Sequence, residues 1–272
     1  MNFYTQLELI LEAKTPKEKF GMFEALYANY KNGAVSMAWS DAPKQFASPS
    51  YESTCQVVPP QNVPKRSNLT TKEGQINLLH AIAHIEYSAV DLALDAAYRF
   101  RDMPKEFYDD WLEVAEDEVR HFEMLHALLE ELGACYGEVA VHNALFEASQ
   151  KTQTLLERMA VVPRYLEANG LDATPMILEK LERLPHNAML ERVKAALGVI
   201  LEEEVGHVKK GDFWFDWACQ KEQRPKEVYF EIIEKYYPQG FAKPRNLNAD
   251  ARKEAGFSCK ELNFMAKKQI CP

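Results

Sequence analysis

Two Glu-x-x-His tetrads, Glu118 to His121 and Glu204 to His207, lie in separate long helical stretches of this sequence. A helix turns about 100° per residue, so side chains three apart leave from nearly one face. They can offer a carboxylate oxygen and an imidazole nitrogen to the same ion. Two such helices would each supply half of a two-metal site. Chance alone supplies about one such tetrad in a chain with 30 glutamates and 7 histidines, and a third does occur, Glu123 to His126. The face on which each pair lies separates them, because a ligand pair must look into an apolar seam whereas an accidental one looks at water.

Around the first tetrad, Trp111, Val114, Ala115, Phe122, Leu125, Leu128, Leu129 and Leu132 form one stripe that includes Glu118 and His121. Glu123 lies about 140° from Glu118, beside Glu116 and Arg120, which makes Glu123/His126 a surface pair. Around the second tetrad, Val193, Leu197, Ile200, Val208, Gly211, Trp214 and Phe215 run with Glu204 and His207; Glu203, four residues before His207, can substitute in a slightly rotated helix. Glu86 is the only acid in the stripe Leu79, Ile82, Ala83, Val90, Ala93, Ala97. A carboxylate buried there needs a cation or a proton, with a neighbouring arginine as the plain alternative. His80, His84, Asp91 and Asp95 share another face of that helix. They either orient the ligands, Asp91 first among them, or form a polar, solvated face.

The fourth carboxylate is Glu167 or Glu157. Glu86 precedes Glu118 by 32 residues and Glu167 precedes Glu204 by 37, whereas Glu157 stands 47 away, so the match between two hairpins favours Glu167. Four carboxylates in a dry interior repel one another, and two divalent ions neutralise them. Oxygen and imidazole donors suit iron or manganese, two ions per chain, and the lack of thiolates argues against a structural zinc.

These residues need long, matched supports. The spacing predicts helices over 70–100, 104–132, 143–169 and 187–220, with a short helix at 175–184 between the last two. Thr70 and Glu73 have capping-box spacing, Gly133 stops the second helix, and Asn169-Gly170 reads as the cap that ends the third. Pro163 should kink that helix. Gly198, Gly206 and Gly211 within the fourth suggest close packing or room for something bound. Ahead of this core, 3–29 reads as helices broken at Lys14-Thr15-Pro16, and 32–68, with five prolines, as an irregular wrap. The expected fold is all-α: an antiparallel four-helix bundle over 70–221 within a single domain of 1–272. It carries an N-terminal helical and irregular extension over 1–69 and a C-terminal extension over 222–272.

With 272 residues, 47% hydrophobic and 27% charged, the chain can bury a substantial core. Its five cysteines are odd in number and scattered, which predicts free thiols in a reducing compartment. The first 20 residues lack a basic leader, no stretch approaches a transmembrane span, and the expected location is the cytoplasm. A net charge of −9 disfavours general nucleic-acid binding. Residues 241–272, with seven Lys/Arg against three Asp/Glu, read as a solvated tail or a basic patch.

At this point the chain resembles the ferritin-like di-iron carboxylate superfamily, with its Glu, Glu-x-x-His, Glu, Glu-x-x-His pattern on four successive helices. More narrowly, it is similar to an uncharacterised family of ferritin-like proteins. The stretches LLHAIAHIEYSAVDLAL, AEDEVRHF, VVPRYLEANGLDATP, EEEVGHVKKGDFWF and KPRNLNADARKEAGF carry the resemblance. It implies Glu86, Glu118, His121, Glu167, Glu204 and His207 as metal ligands, with Glu118 and Glu204 bridging and so nearest the chemistry. It brings no activity. The leading expectation is an oxygen-activating di-iron oxidoreductase or hydroxylase acting on a small molecule, with no membrane partner and with a homodimer as one assembly. The alternatives are a ferritin-type iron oxidation and storage protein, a tRNA-modifying hydroxylase and a non-catalytic metal-bound scaffold.

Overall fold

The computed structural model describes residues 1–272 and is all-helical, without strands; two isolated bridges, Asn2 to Ser36 and Val57 to Val141, are its only extended pairings. No helix is long and apolar enough to cross a membrane. The chain forms two compact units, Met1–Glu147 and Ala148–Pro272.

In the first unit, α1 (Phe3–Glu12) and α2 (Pro16–Lys31) break where expected: Thr15 accepts a hydrogen bond from the Glu18 amide, and Pro16 opens α2. The long helices α3 (Lys72–Arg99) and α4 (Lys105–Glu131) follow and pack along their length as a hairpin. The cap of α3 is Thr71 rather than Thr70. Thr71 Oγ1 accepts from the Gly74 amide at 3.1 Å, while the Thr70 hydroxyl turns to Asn68 Oδ1 at 2.8 Å. Asn68, at φ 59°, folds the approaching chain so close that a Cβ on Gly74 would stand 2.3 Å from the Asn68 carbonyl. α1 packs on α3 and α2 on α4. Lys19 on α2, fully buried, bonds Ser50 at 2.9 Å and pairs with Asp91 of α3.

In the second unit the single helix expected over 143–169 is replaced by several pieces. α5 (Ala144–Lys151) leads into this unit and stops at Thr152. The buried Arg158 guanidinium bonds Thr152 Oγ1 at 2.8 Å and the Ser149 carbonyl at 2.6 Å, which holds the break. Thr154 then caps α6 (Leu155–Val161). Val162–Glu167 forms a wide π turn that contains Pro163. Proline has no amide hydrogen to donate and its ring crowds the preceding turn, so the backbone widens there instead of simply bending. The helix then runs through Asn169-Gly170 as α7 (Ala168–Glu182), so the expected cap and the separate helix at 175–184 are both corrected. The side chains that might have ended it are taken from elsewhere: Asn169 Oδ1 accepts from Arg245, and Asp172 pairs with Arg252 at 2.7 Å. α8 (Ala188–Lys221) matches its expected span, with Asn187 capping the Met189 amide at 2.8 Å. Of its three glycines only Gly211 is needed for a close approach, since a Cβ there would sit 2.2 Å from Pro163; Gly198 and Gly206 face open space.

Residues 241–272 are not a solvated tail but part of a folded extension over 222–272. That extension forms α9 (Val228–Tyr236), α10 (Ala249–Glu254) and α11 (Cys259–Ala266), and buries Arg252, Phe257, Leu262 and Met265. The expectation of five free thiols is likewise corrected: a disulfide joins Cys259 to Cys271, leaving Cys55, Cys135 and Cys219 free.

Candidate metal centre

The apolar seam of α3 and α4 places Glu86, Glu118 and His121 together. All three are buried, and each offers a ligand atom within 4.8 Å of the others. His121 Nδ1 stands 3.2 Å from Glu86 Oε2 and 3.4 Å from Glu118 Oε2. These separations are longer than a good charge-assisted hydrogen bond, and the three groups face one another in one buried cluster. Burial alone would strip His121 of its proton. The two carboxylates outweigh it and lift its pKa to about 10. The same field that favours charge on the imidazole favours a divalent cation, and oxygen with imidazole nitrogen is a donor set suited to iron or manganese. These residues therefore fit a metal ion.

The other face of α3 is not solvated. Asp91 is taken by Lys19, and Asp95 holds Arg99 through contacts of 2.6 and 3.1 Å. His80 and His84 are buried against the connection after α4, stacked on Tyr136. Their i,i+4 spacing was visible in the sequence, whereas their partners Tyr136 and His142 lie in a loop that helical periodicity does not reach. Glu123 is exposed, as its helical phase requires, and His126 stacks on Phe122 with centroids 5.5 Å apart.

In the second unit, Glu204 and His207 project from one face of α8, with Glu204 Oε1 3.6 Å from His207 Nδ1. His207 is buried and Glu204 nearly so, at 14% side-chain exposure. Glu167 is the last residue of the π turn and is half-buried. The rival Glu157 is occupied on the far side of α6: its Oε1 accepts from Lys235 Nζ at 2.6 Å. Burial works against its charge, but Lys235 and Tyr236 hold its pKa below the usual carboxylate range.

A residue without any local signal in the sequence supports the π turn. Arg164, fully buried, forms an ion pair with Asp212, Nε to Oδ1 at 2.8 Å, and donates a hydrogen bond from Nη2 to Glu261 Oε1 at 2.8 Å. Phe215, Tyr229 and Phe257 enclose its guanidinium at 4.4–4.7 Å from their ring centres. Glu261 comes from α11, 97 residues away, a distance no pattern of local spacing reveals.

A family profile described as a protein of unknown function, DUF455, matches residues 12–263. A protein of Haemophilus influenzae described as uncharacterized is 37% identical over 275 residues, covering 97% of this chain and 93% of its own length. No solved structure matches.

Proposed function

We propose that this chain, which belongs to the DUF455 family of unknown function, is an oxidoreductase that uses a dinuclear iron or manganese centre to activate dioxygen toward a small-molecule substrate. The observation that carries the reading is the buried group of Glu86, Glu118 and His121. To it the proposal adds Glu204 as a fourth donor, then Glu167 and His207. The supports become one ferritin-like, antiparallel four-helix bundle of α3, α4, the α6–α7 segment and α8. In this arrangement Glu118 and Glu204 would be shared by the two ions, Glu86 and Glu167 would each hold one, and His121 and His207 would each complete one set.

Bound iron or manganese would supply the electron transfer toward dioxygen that carboxylates and imidazoles cannot supply themselves. The chain's own part is to hold the ligands and keep the surroundings dry. Trp111, Val114, Ala115, Phe122 and Leu125, all buried, line the α4 stripe that carries Glu118 and His121. Such walls exclude bulk water and strengthen the carboxylates' grip on a cation. Arg164 and Pro163 shape the turn that ends in Glu167.

The test is ferrous loading without oxygen, followed by air and an optical spectrum. Wild-type protein is expected to develop ferric absorption in proportion to the iron bound, and Glu118→Ala to lose it. Identical spectra from both would remove the basis for the reading.

A further inference from the structure

We propose that the first unit carries a second ligand site, a pocket for a small amphipathic oxyanion with a carboxylate or phosphate monoester head and a short apolar body, on the face of α3 that bears His80 and His84. It does not rest on the metal centre, since none of the metal-ligand candidates lines it.

A cavity of about 510 Å³ lies there, between segment 60–67, α3 and residues 139–142. That is within the range of small-molecule pockets. Lys65, Arg66, His80 and His142 contribute its polar wall, and Val63, Ile85 and Val141 its apolar one. No Asp or Glu lines it, in a chain whose net charge is −9. Two exposed cations with no lining acid attract a negative ligand, and the arginine fork suits a carboxylate or phosphate.

The hydrogen bonds assign the donors. The Gly137 amide donates to His80 Nε2 at 2.8 Å, so the neutral ring carries its proton on Nδ1. That Nδ1 has no hydrogen-bond partner, although His80 is fully buried. A buried donor without an acceptor is costly, and His80 is among the residues that line the pocket. Burial pushes the His80 pKa down to about 4, so the ring is neutral near pH 7. His142 Nδ1 accepts from the Ala144 amide at 3.3 Å, which leaves its Nε2 as the donor. His84 is committed to the wall: its Nε2 donates to the His142 carbonyl and its Nδ1 accepts from the Tyr136 hydroxyl, both at 2.9 Å.

The walls are fixed rather than loosely draped. Val58 donates to the Val141 carbonyl at 2.8 Å and Val141 to the Gln56 carbonyl at 3.0 Å. Gly137 holds φ +107° where a Cβ would meet the Thr54 carbonyl at 2.7 Å, so the loop that presents its amide to His80 admits no side chain. A pocket held in this way needs little reordering to bind.

Calorimetric titration of the full-length protein with hexanoate, hexyl phosphate and inorganic phosphate tests the site. One saturable site per chain is expected for hexanoate or hexyl phosphate, the tighter of the two naming the head group. The double substitution Lys65→Ala/Arg66→Ala, at exposed positions, should weaken it at least tenfold, while Lys31→Ala on α2 leaves it unchanged. The proposal is overturned if neither organic anion binds saturably, if the double variant binds as well as wild type, or if inorganic phosphate binds as tightly as both.

Discussion

The two Glu-x-x-His pairs stand on supports of different construction. In the first unit, Glu86, Glu118 and His121 come from two uninterrupted helices of 28 and 27 residues, and their side chains are 0–5% exposed. Their placement follows from helical phase and the packing of one hairpin. In the second, Glu204 and His207 share a 34-residue helix, but the carboxylate proposed to join them, Glu167, ends a π turn set between α6 and α7. That turn is held by buried charge: Arg164 reaches Asp212 and Glu261, and Arg252 fastens the neighbouring α7 through Asp172. One half is thus organised by local periodicity, the other by long-range ion pairs from the C-terminal extension.

If this contrast is right, the two halves fail differently. The largest effect is expected at Arg164. Arg164→Met removes the buried cation shared by Asp212 and Glu261, leaving Asp212 only Lys226 and Glu261 only Ser258, and should cost about 3–5 kcal/mol, read as a lowered denaturation midpoint. The metal-free midpoint of Glu118→Gln, in the other half, should stay level or rise, because that substitution removes one of two clustered carboxylates. Equal losses in both variants would erase the distinction.

The first unit's own weakness is to acid. The pKa of His80 is depressed to about 4 by burial, so the unfolded chain takes up a proton there before the folded one does. The stability this histidine contributes is therefore complete above about pH 6.5 and lost as the pH falls toward 4, by up to about 3 kcal/mol. Denaturation midpoints measured across that window should fall with acidification. His80→Gln, whose amide oxygen can still accept from Gly137, should flatten the slope by close to one proton; an unchanged slope would mean that His80 is not the group responsible.

A smaller effect is expected within α8 itself. Gly211→Ala drives a Cβ into Pro163 and should destabilise by about 1–3 kcal/mol. Gly206→Ala, facing open space, should stabilise by up to about 1 kcal/mol through helix propensity. Calorimetric midpoints that shift in the same direction for both variants would mean that the π turn does not depend on that close approach.

The pattern of legibility follows the same contrast. α3, α4 and α8 were readable because their apolar stripes persist over many turns and their ends carry Thr, Asn or Gly signals. The outward phase of Glu123 and the separate face of His80 and His84 followed from the same periodicity. The Thr71 cap was missed by one residue because Asn68 turns the chain and claims the Thr70 hydroxyl. The segmentation of 143–182 was hidden because Arg158 pins a break that has no Pro or Gly to mark it, while the Asn169-Gly170 pair was overridden by Arg245. The C-terminal extension read as charged and solvated. Arg252 is in fact committed to Asp172 far away in sequence, and the Cys259–Cys271 pairing spans α11 without a recognisable spacing motif.

The most direct test is metal stoichiometry, by elemental analysis of protein purified from its own host and after anaerobic ferrous loading, for wild type, Glu118→Ala and His207→Ala. Two ions per wild-type chain, with the second tightly bound equivalent lost in each variant, is the expected result. No bound metal in wild type, or two tightly held ions in both variants, would contradict a centre built from these ligands.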